Sequence, residues 1–160
     1  MPLKVMPSAL EAEASLLGTM MIYPRSARIA MEEGLSEDDF YAEANKRIFK
    51  AIDSLYQEGA AIDITTTSTR LKDLGTLESV GGFSYLTRLT DAAVTSANTK
   101  NYVTMVHDKA IMRNMIETAE RIAEEGYAGQ TDINEYLDQA EKSILNISHN
   151  RKTNDFAASP

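Results

Sequence analysis

Residues 98–150 read NTKNYVTMVHDKAIMRNMIETAERIAEEGYAGQTDINEYLDQAEKSILNISHN, and this stretch decides the fold. From about Lys100 to Glu125, Tyr102, Met105, Val106, Met112, Met115, Ile116, Ala119, Ile122 and Ala123 recur at steps of three and four, the period of one helix face. Asp108, Lys109, Arg113, Glu117, Glu120, Arg121 and Glu124 fill much of the remainder. Asn98 suits the start as a cap, and Gly126 and Gly129 can supply the left-handed backbone of a helix end. Thr131 or Asp132 opens a second helix, with Asp132-x-x-Glu135 as a capping box. Its stripe is Ile133, Tyr136, Leu137, Ala140, Ile144 and Ile147. The spacing predicts an antiparallel helical hairpin over 98–150, its first arm nearly 40 Å long at ~1.5 Å per residue.

The first stripe is broader than the a/d seam of a two-helix contact, so the pair carries more apolar surface than it can bury between its own arms. Two destinations are open for the excess: the rest of the same chain, or other copies of it.

Around this hairpin the composition sets limits. One hundred and sixty residues suit one domain, or one domain with an appendage, and 43% apolar residues suffice for a core. The absence of cysteine removes disulfide and thiolate chemistry and suits a reducing compartment. A formal charge of −8 and a pI near 4.8 argue against strong direct nucleic-acid binding, which needs clustered lysine and arginine. No apolar run approaches the roughly 20 residues of a membrane span, and MPLKVMPSALEAEAS lacks the apolar centre of a signal peptide. The expected location is the cytoplasm.

Upstream of the hairpin the pattern is helical throughout. Ser8-x-x-Glu11 after Pro7 reads as a capping box opening a helix, with Leu10, Ala14, Leu17 and Met21 on one face. Gly18 inside that pattern costs ~1 kcal/mol relative to alanine and allows another helix to approach closely. Tyr23-Pro24 interrupts, and Arg25 to Glu33 forms a short helix stopped by Gly34. Ser36-x-x-Asp39 can cap the next start, Phe40 and Tyr41 anchor it, and a helix runs from about Glu43 to Glu58. Residues 60–69 alternate enough for a strand, yet Asp63 is a good N-cap, Leu71 and Leu74 continue at helical spacing, and a single strand would have no partner; the segment reads as helix. Gly81-Gly82 precedes a short helix bearing Phe83, Leu86 and Leu89, with Tyr85 beside them. The organisation is all-α: a globular helical subdomain over 1–97, the hairpin over 98–150, and a linker or tail over 151–160, where no apolar period continues.

Catalytic patterns are missing. His107 and His149 fall on different helices without cysteine, which argues against zinc. There is no G-x-x-x-x-G-K-[ST] phosphate loop and no nucleophile elbow. The residues alone therefore point to assembly or partner binding, not to an enzyme.

The order of short signals resembles the N-terminal domain of bacterial and phage DnaB-type replicative helicases. It rests on Ser8-Ala9-Leu10-Glu11-Ala12-Glu13 with Leu17-Gly18, Asp39-Phe40-Tyr41, Arg47-Ile48-Phe49, Ile62-Asp63-Ile64, and Gly81-Gly82 before Tyr85-Leu86-x-x-Leu89. Ala97-Asn98, Tyr102, Arg113, Ala123 to Tyr127 and Asp138-x-x-Glu141 complete the series; Ala93-Val94-Thr95 departs from it, since relatives commonly carry a proline there. The resemblance implies a non-catalytic collar. Copies associate, from dimer to hexamer, through hairpins and globular heads, and the collar docks primase and can respond to helicase loaders. ATP and Mg would belong to an ATPase domain beyond a linker, outside these residues. For partner binding the matching positions are Tyr85, Ile116 and Ile122; for self-association the hairpin offers Met105, Met112, Met115, Tyr136 and Ile144. The alternative reading is a free-standing helical adaptor or loader-like interaction protein.

Overall fold

The computed structural model describes residues 4–129 and 132–158, with side chains to residue 149. Among the described residues every regular element is helical. In chain order these are α1 (Leu10–Ile22), α2 (Pro24–Glu32), a single 3-10 turn (Glu37–Asp39), α3 (Glu43–Gln57), α4 (Ile64–Asp73), α5 (Gly82–Ala92), α6 (Thr99–Ala128) and α7 (Ile133–Ala158). Two compact units divide the chain: Ser8–Ala110, and Ile111 onward together with the lead up to Pro7.

In the first unit α1 is central and packs against α2, α3, α4 and α5. Its second half, Leu16 to Met21, is buried on every side, which is why it shows little amphipathicity. Leu16, Leu17, Met20, Phe40, Ile48, Phe49, Ile52, Leu71, Leu86 and Leu89 form the core, and the Phe40 and Phe49 rings lie 5.2 Å apart. Gly18 permits the closest approach. A β-carbon there would sit 1.8 Å from the Leu89 carbonyl oxygen, so α5 crosses α1 backbone to backbone.

Local chemistry sets most boundaries. Pro24 occupies the first turn of α2, where its missing N–H costs nothing. Asp63 Oδ1 accepts from the Thr66 N–H at 2.8 Å, and Thr66 Oγ1 accepts from the Asp63 N–H at 2.9 Å. This reciprocal cap decides residues 60–69 for helix α4 over a strand. Arg70 then ties α4 to α3 through Glu58 (2.7 and 3.1 Å) and the Ser54 hydroxyl. That guanidinium holds the Glu58 carboxyl below its ordinary range.

Four expectations change. Helix α1 starts at Leu10 with Ala9 at the cap position, not at Ser8; its N3 residue is then Ala12, which has no side-chain acceptor to complete a box. Ser36 and Asp39 do form a capping box, yet it closes only a 3-10 turn, because Phe40 is extended. The compact units divide at Ala110/Ile111 and not at Asn98: Val103 and Val106, on the first turns of α6, are buried in the globular core, and the Thr99 hydroxyl pairs with Ser26 at 2.8 Å. Finally, the backbone of α7 stays helical through Ala158, past the point where a linker was expected, since no glycine or proline interrupts residues 133–158.

Candidate functional site

The second unit is the hairpin proper. Helix α6 continues through Gly126, expected as a stop, and ends at Ala128 before Gly129, whose φ of +61° marks the turn. Gly126 has another role: a β-carbon there would lie 2.7 Å from the Tyr136 hydroxyl. That hydroxyl donates to the Ile122 carbonyl at 2.5 Å, and Arg121 Nη2 donates to Ser143 Oγ at 2.8 Å. Pairs 122 with 136 and 121 with 143 fix the two arms as antiparallel. Asp132 Oδ2 accepts from the Asn134 and Glu135 N–H groups at 3.1 and 3.4 Å, so Asp132 caps α7; Thr131, the other candidate, lies outside the described residues. Arg113 is buried and Nη1 donates to the Pro7 carbonyl at 2.8 Å.

What the arms leave uncovered is the site. At ~100° per residue, Met112, Met115, Ile116, Ala119, Ala123 and Tyr127 fall within an arc of about 120° on α6; between residues 111 and 128 no charged side chain enters it, and Asp108 and Lys109 bound it on the preceding turn. Met112 is 49% exposed, Met115 39% and Tyr127 93%, and Ala119 and Ala123 are exposed with them. On α7, Ile133, Leu137 (54%) and Ile144 form a second exposed strip within about 40° of helix surface, and Leu145 is exposed beyond it. Large apolar side chains thus lie open to solvent along both arms. The surroundings are acidic: residues 111–149 carry eight carboxylates against Arg113, Arg121 and Lys142. At long range that excess sets two copies of this segment against each other.

The residues singled out from sequence divide accordingly. Met112, Met115 and Ile144 are exposed on the hairpin unit, whereas Met105 is exposed on the globular unit. Tyr136 is half-buried and spends its hydroxyl within the hairpin. Ile116 and Ile122 are half-buried on the hairpin unit, while Tyr85 belongs to the globular one. Leu137 was legible as part of the α7 stripe without being singled out. Tyr127 continues the α6 stripe past Gly126, where the sequence predicts a helix end, and Leu145 lies off the α7 stripe, so periodicity singles out neither.

Tyr85 ends a buried polar chain. Its hydroxyl donates to Asn45 Oδ1 at 2.7 Å, and Asn45 Nδ2 donates to Glu13 Oε1 at 2.9 Å. Glu13, 1% exposed, also accepts the Tyr41 N–H at 2.7 Å and the Ala42 N–H at 3.4 Å. One carboxylate from α1 thus satisfies the backbone before α3, whose own cap residue, Ala42, has no acceptor. Burial, then the Glu13 charge, raises the Tyr85 phenol above its ordinary range, although the Arg88 guanidinium lies 5.2 Å from the ring centroid. Among the described residues no three histidine, cysteine, aspartate or glutamate side chains converge as metal ligands, and no helix is long and apolar enough to cross a membrane.

A compact helical unit followed by a helical hairpin defines a class: all-α domains of two helical parts. Within that class the chain belongs to the DnaB-like helicase N-terminal domain family, whose profile matches residues 5–108. It is 35% identical over 150 residues to the replicative DNA helicase DnaC of Bacillus subtilis, covering 94% of this chain and 33% of that protein. It is 34% identical over 153 residues to the replicative DNA helicase DnaB of Geobacillus stearothermophilus, covering 96% and 34%. The chain therefore spans about a third of the length of these curated relatives. The crystal structure of the N-terminal domain of DnaB helicase from Mycobacterium tuberculosis superimposes with a TM-score of 0.83 at 33% identity, covering 88% of this chain and 99% of that one. A DnaB-like replicative helicase whose structure was determined with its interactions with primase shares the fold, with a TM-score of 0.72 at 22% identity over 87% of this chain and 31% of that one.

Proposed function

We propose that this chain is the collar and docking domain of a longer replicative helicase, and that it performs no chemistry itself. The observation that carries the reading is the apolar, exposed strip on α6, together with the Ile133, Leu137 and Ile144 strip on α7. Covering these side chains between copies contributes ~2 kcal/mol for each large residue fully buried, enough for association once several are paired. Ring assembly up to a hexamer, ATP and Mg use by a further domain, and response to a loader follow from the family and belong to the same proposal. Primase is the proposed external partner, supported by the relative of the same fold that engages one. Ile116 and Ile122, half-buried on the hairpin unit, are the proposed docking residues there. Tyr85 serves it less directly, by fixing α5 through Asn45.

Light scattering after size exclusion, over a concentration series, tests self-association. The chain should assemble, and Met115→Glu should shift it toward monomer with helix content unchanged. A chain that stays monomeric at high concentration refutes the collar. Pull-down with the helicase-binding domain of the cognate primase tests docking separately; no capture, by a chain that does assemble, removes the primase role alone.

A further inference from the structure

With no cysteine in the chain, its eight methionines hold all of the sulfur open to oxidation. Their environments divide sharply: Met20 and Met21 are 0% and 2% exposed in the globular core, whereas Met112 and Met115 are 49% and 39% exposed on the hairpin. The latter two stand one turn apart on the apolar arc of α6, beside Ala119 and Ala123, which are too small to shield them.

We propose that Met112 and Met115 form an oxidation-sensitive site, at which hydroperoxides convert the two thioethers to sulfoxides and so dissolve the contact between copies. The inference rests on the self-association reading above and adds its regulation. In the reaction a sulfur lone pair attacks one peroxide oxygen. The O–O bond breaks as the S–O bond forms, the thioether loses two electrons, and the second oxygen leaves as water or alcohol after proton transfer. The hydroperoxide is the sole co-reactant. The product replaces a soft apolar side chain with a polar, chiral one whose oxygen is a strong acceptor. Lys109 stands one turn before Met112, but no charged side chain lies one turn either side of Met115, so its oxygen, buried between copies, would have no charged donor on its own helix face. A seated copy covers the sulfurs, so oxidation falls on the unassembled chain and holds it there until methionine sulfoxide reductases restore the thioether.

The test treats dilute, full-length chain with hydrogen peroxide, maps each methionine by mass spectrometry over time, and measures association by light scattering before and after. Met112 and Met115 should oxidise at least about tenfold faster than Met20 and Met21, and the association constant should fall at least about tenfold. The double variant Met112→Leu with Met115→Leu keeps exposed Met105 and has no sulfur at the two positions; whatever association constant it has before treatment, peroxide should leave that constant unmoved. Equal oxidation rates at the four positions overturn the proposal. So does undiminished association of chain carrying both sulfoxides, or an equal loss in the leucine variant. An untreated chain that never assembles overturns this proposal and the collar together, whereas assembly insensitive to oxidation overturns this one alone.

Discussion

Gly18→Ala sets two effects of opposite sign against each other. By helix propensity alone, alanine in the interior of α1 should stabilise by ~1 kcal/mol. The packing says otherwise. The added methyl would lie 1.8 Å from the Leu89 oxygen, 2.6 Å from the Leu89 carbonyl carbon and 3.2 Å from the Thr90 Cα, all of them backbone atoms with no rotamer to escape into. Ordinary contact requires α1 and α5 to separate by roughly 1.5 Å, and a gap of even 0.5–1 Å forfeits a quarter to a half of each dispersion contact. Those two helices share the core of Leu16, Leu17, Met20, Leu86 and Leu89. Overpacking of this kind costs ~1–3 kcal/mol, and more where nothing can give, so the net effect should be a loss of about 2–4 kcal/mol. Urea unfolding followed by circular dichroism should show a midpoint lowered by roughly 1–2 M, for a slope of about 2 kcal/mol/M. A variant as stable as the parent, or more so, would show that the α1–α5 approach is not tight and would refute the reasoning.

Glu13→Ala removes the shared acceptor of Tyr41, Ala42 and Asn45 and should destabilise by ~3 kcal/mol, read by the same unfolding assay; a loss below ~1 kcal/mol would show that water replaces the carboxylate. The Tyr85 phenol, raised chiefly by burial, should ionise above the ordinary tyrosine range in an ultraviolet difference titration against Tyr85→Phe. Because its folded pKa lies above the unfolded one, its contribution to stability is fully present below pH 10 and is lost as pH rises through the raised value. Self-association should tighten with added salt, since residues 111–149 of each copy carry eight carboxylates against three cationic side chains and the Debye length shortens to ~10 Å at 0.1 M; sedimentation at two salt concentrations checks this, and weakening would point to an interface of opposite charges.

Helical periodicity made α3, α6 and α7 legible, because each shows one apolar face to a neighbour. The Asp63 cap was legible because its acceptor and its reciprocal Thr66 lie within four residues. What escaped depends on partners distant in sequence. Nothing local marks Glu13 for burial; its partners are Asn45 and the backbone before α3, about thirty residues away. The start of α6 read as hairpin, yet Val103 and Val106 serve the globular core, and nothing local separates the covered stretch of a continuous stripe from the open one. The broad stripe predicts an excess of apolar surface, but neither Tyr127, which lies past the glycine expected to end α6, nor Leu145, which is exposed off the α7 strip.

The glycine within the last turns of α6 leaves a record beyond this one molecule. A side chain at position 126 and the phenol of Tyr136 compete for the same few cubic ångströms. Evolution can therefore change neither alone at low cost. Across homologues the two positions should drift together, a larger residue at the first accompanied by loss of the ring at the second.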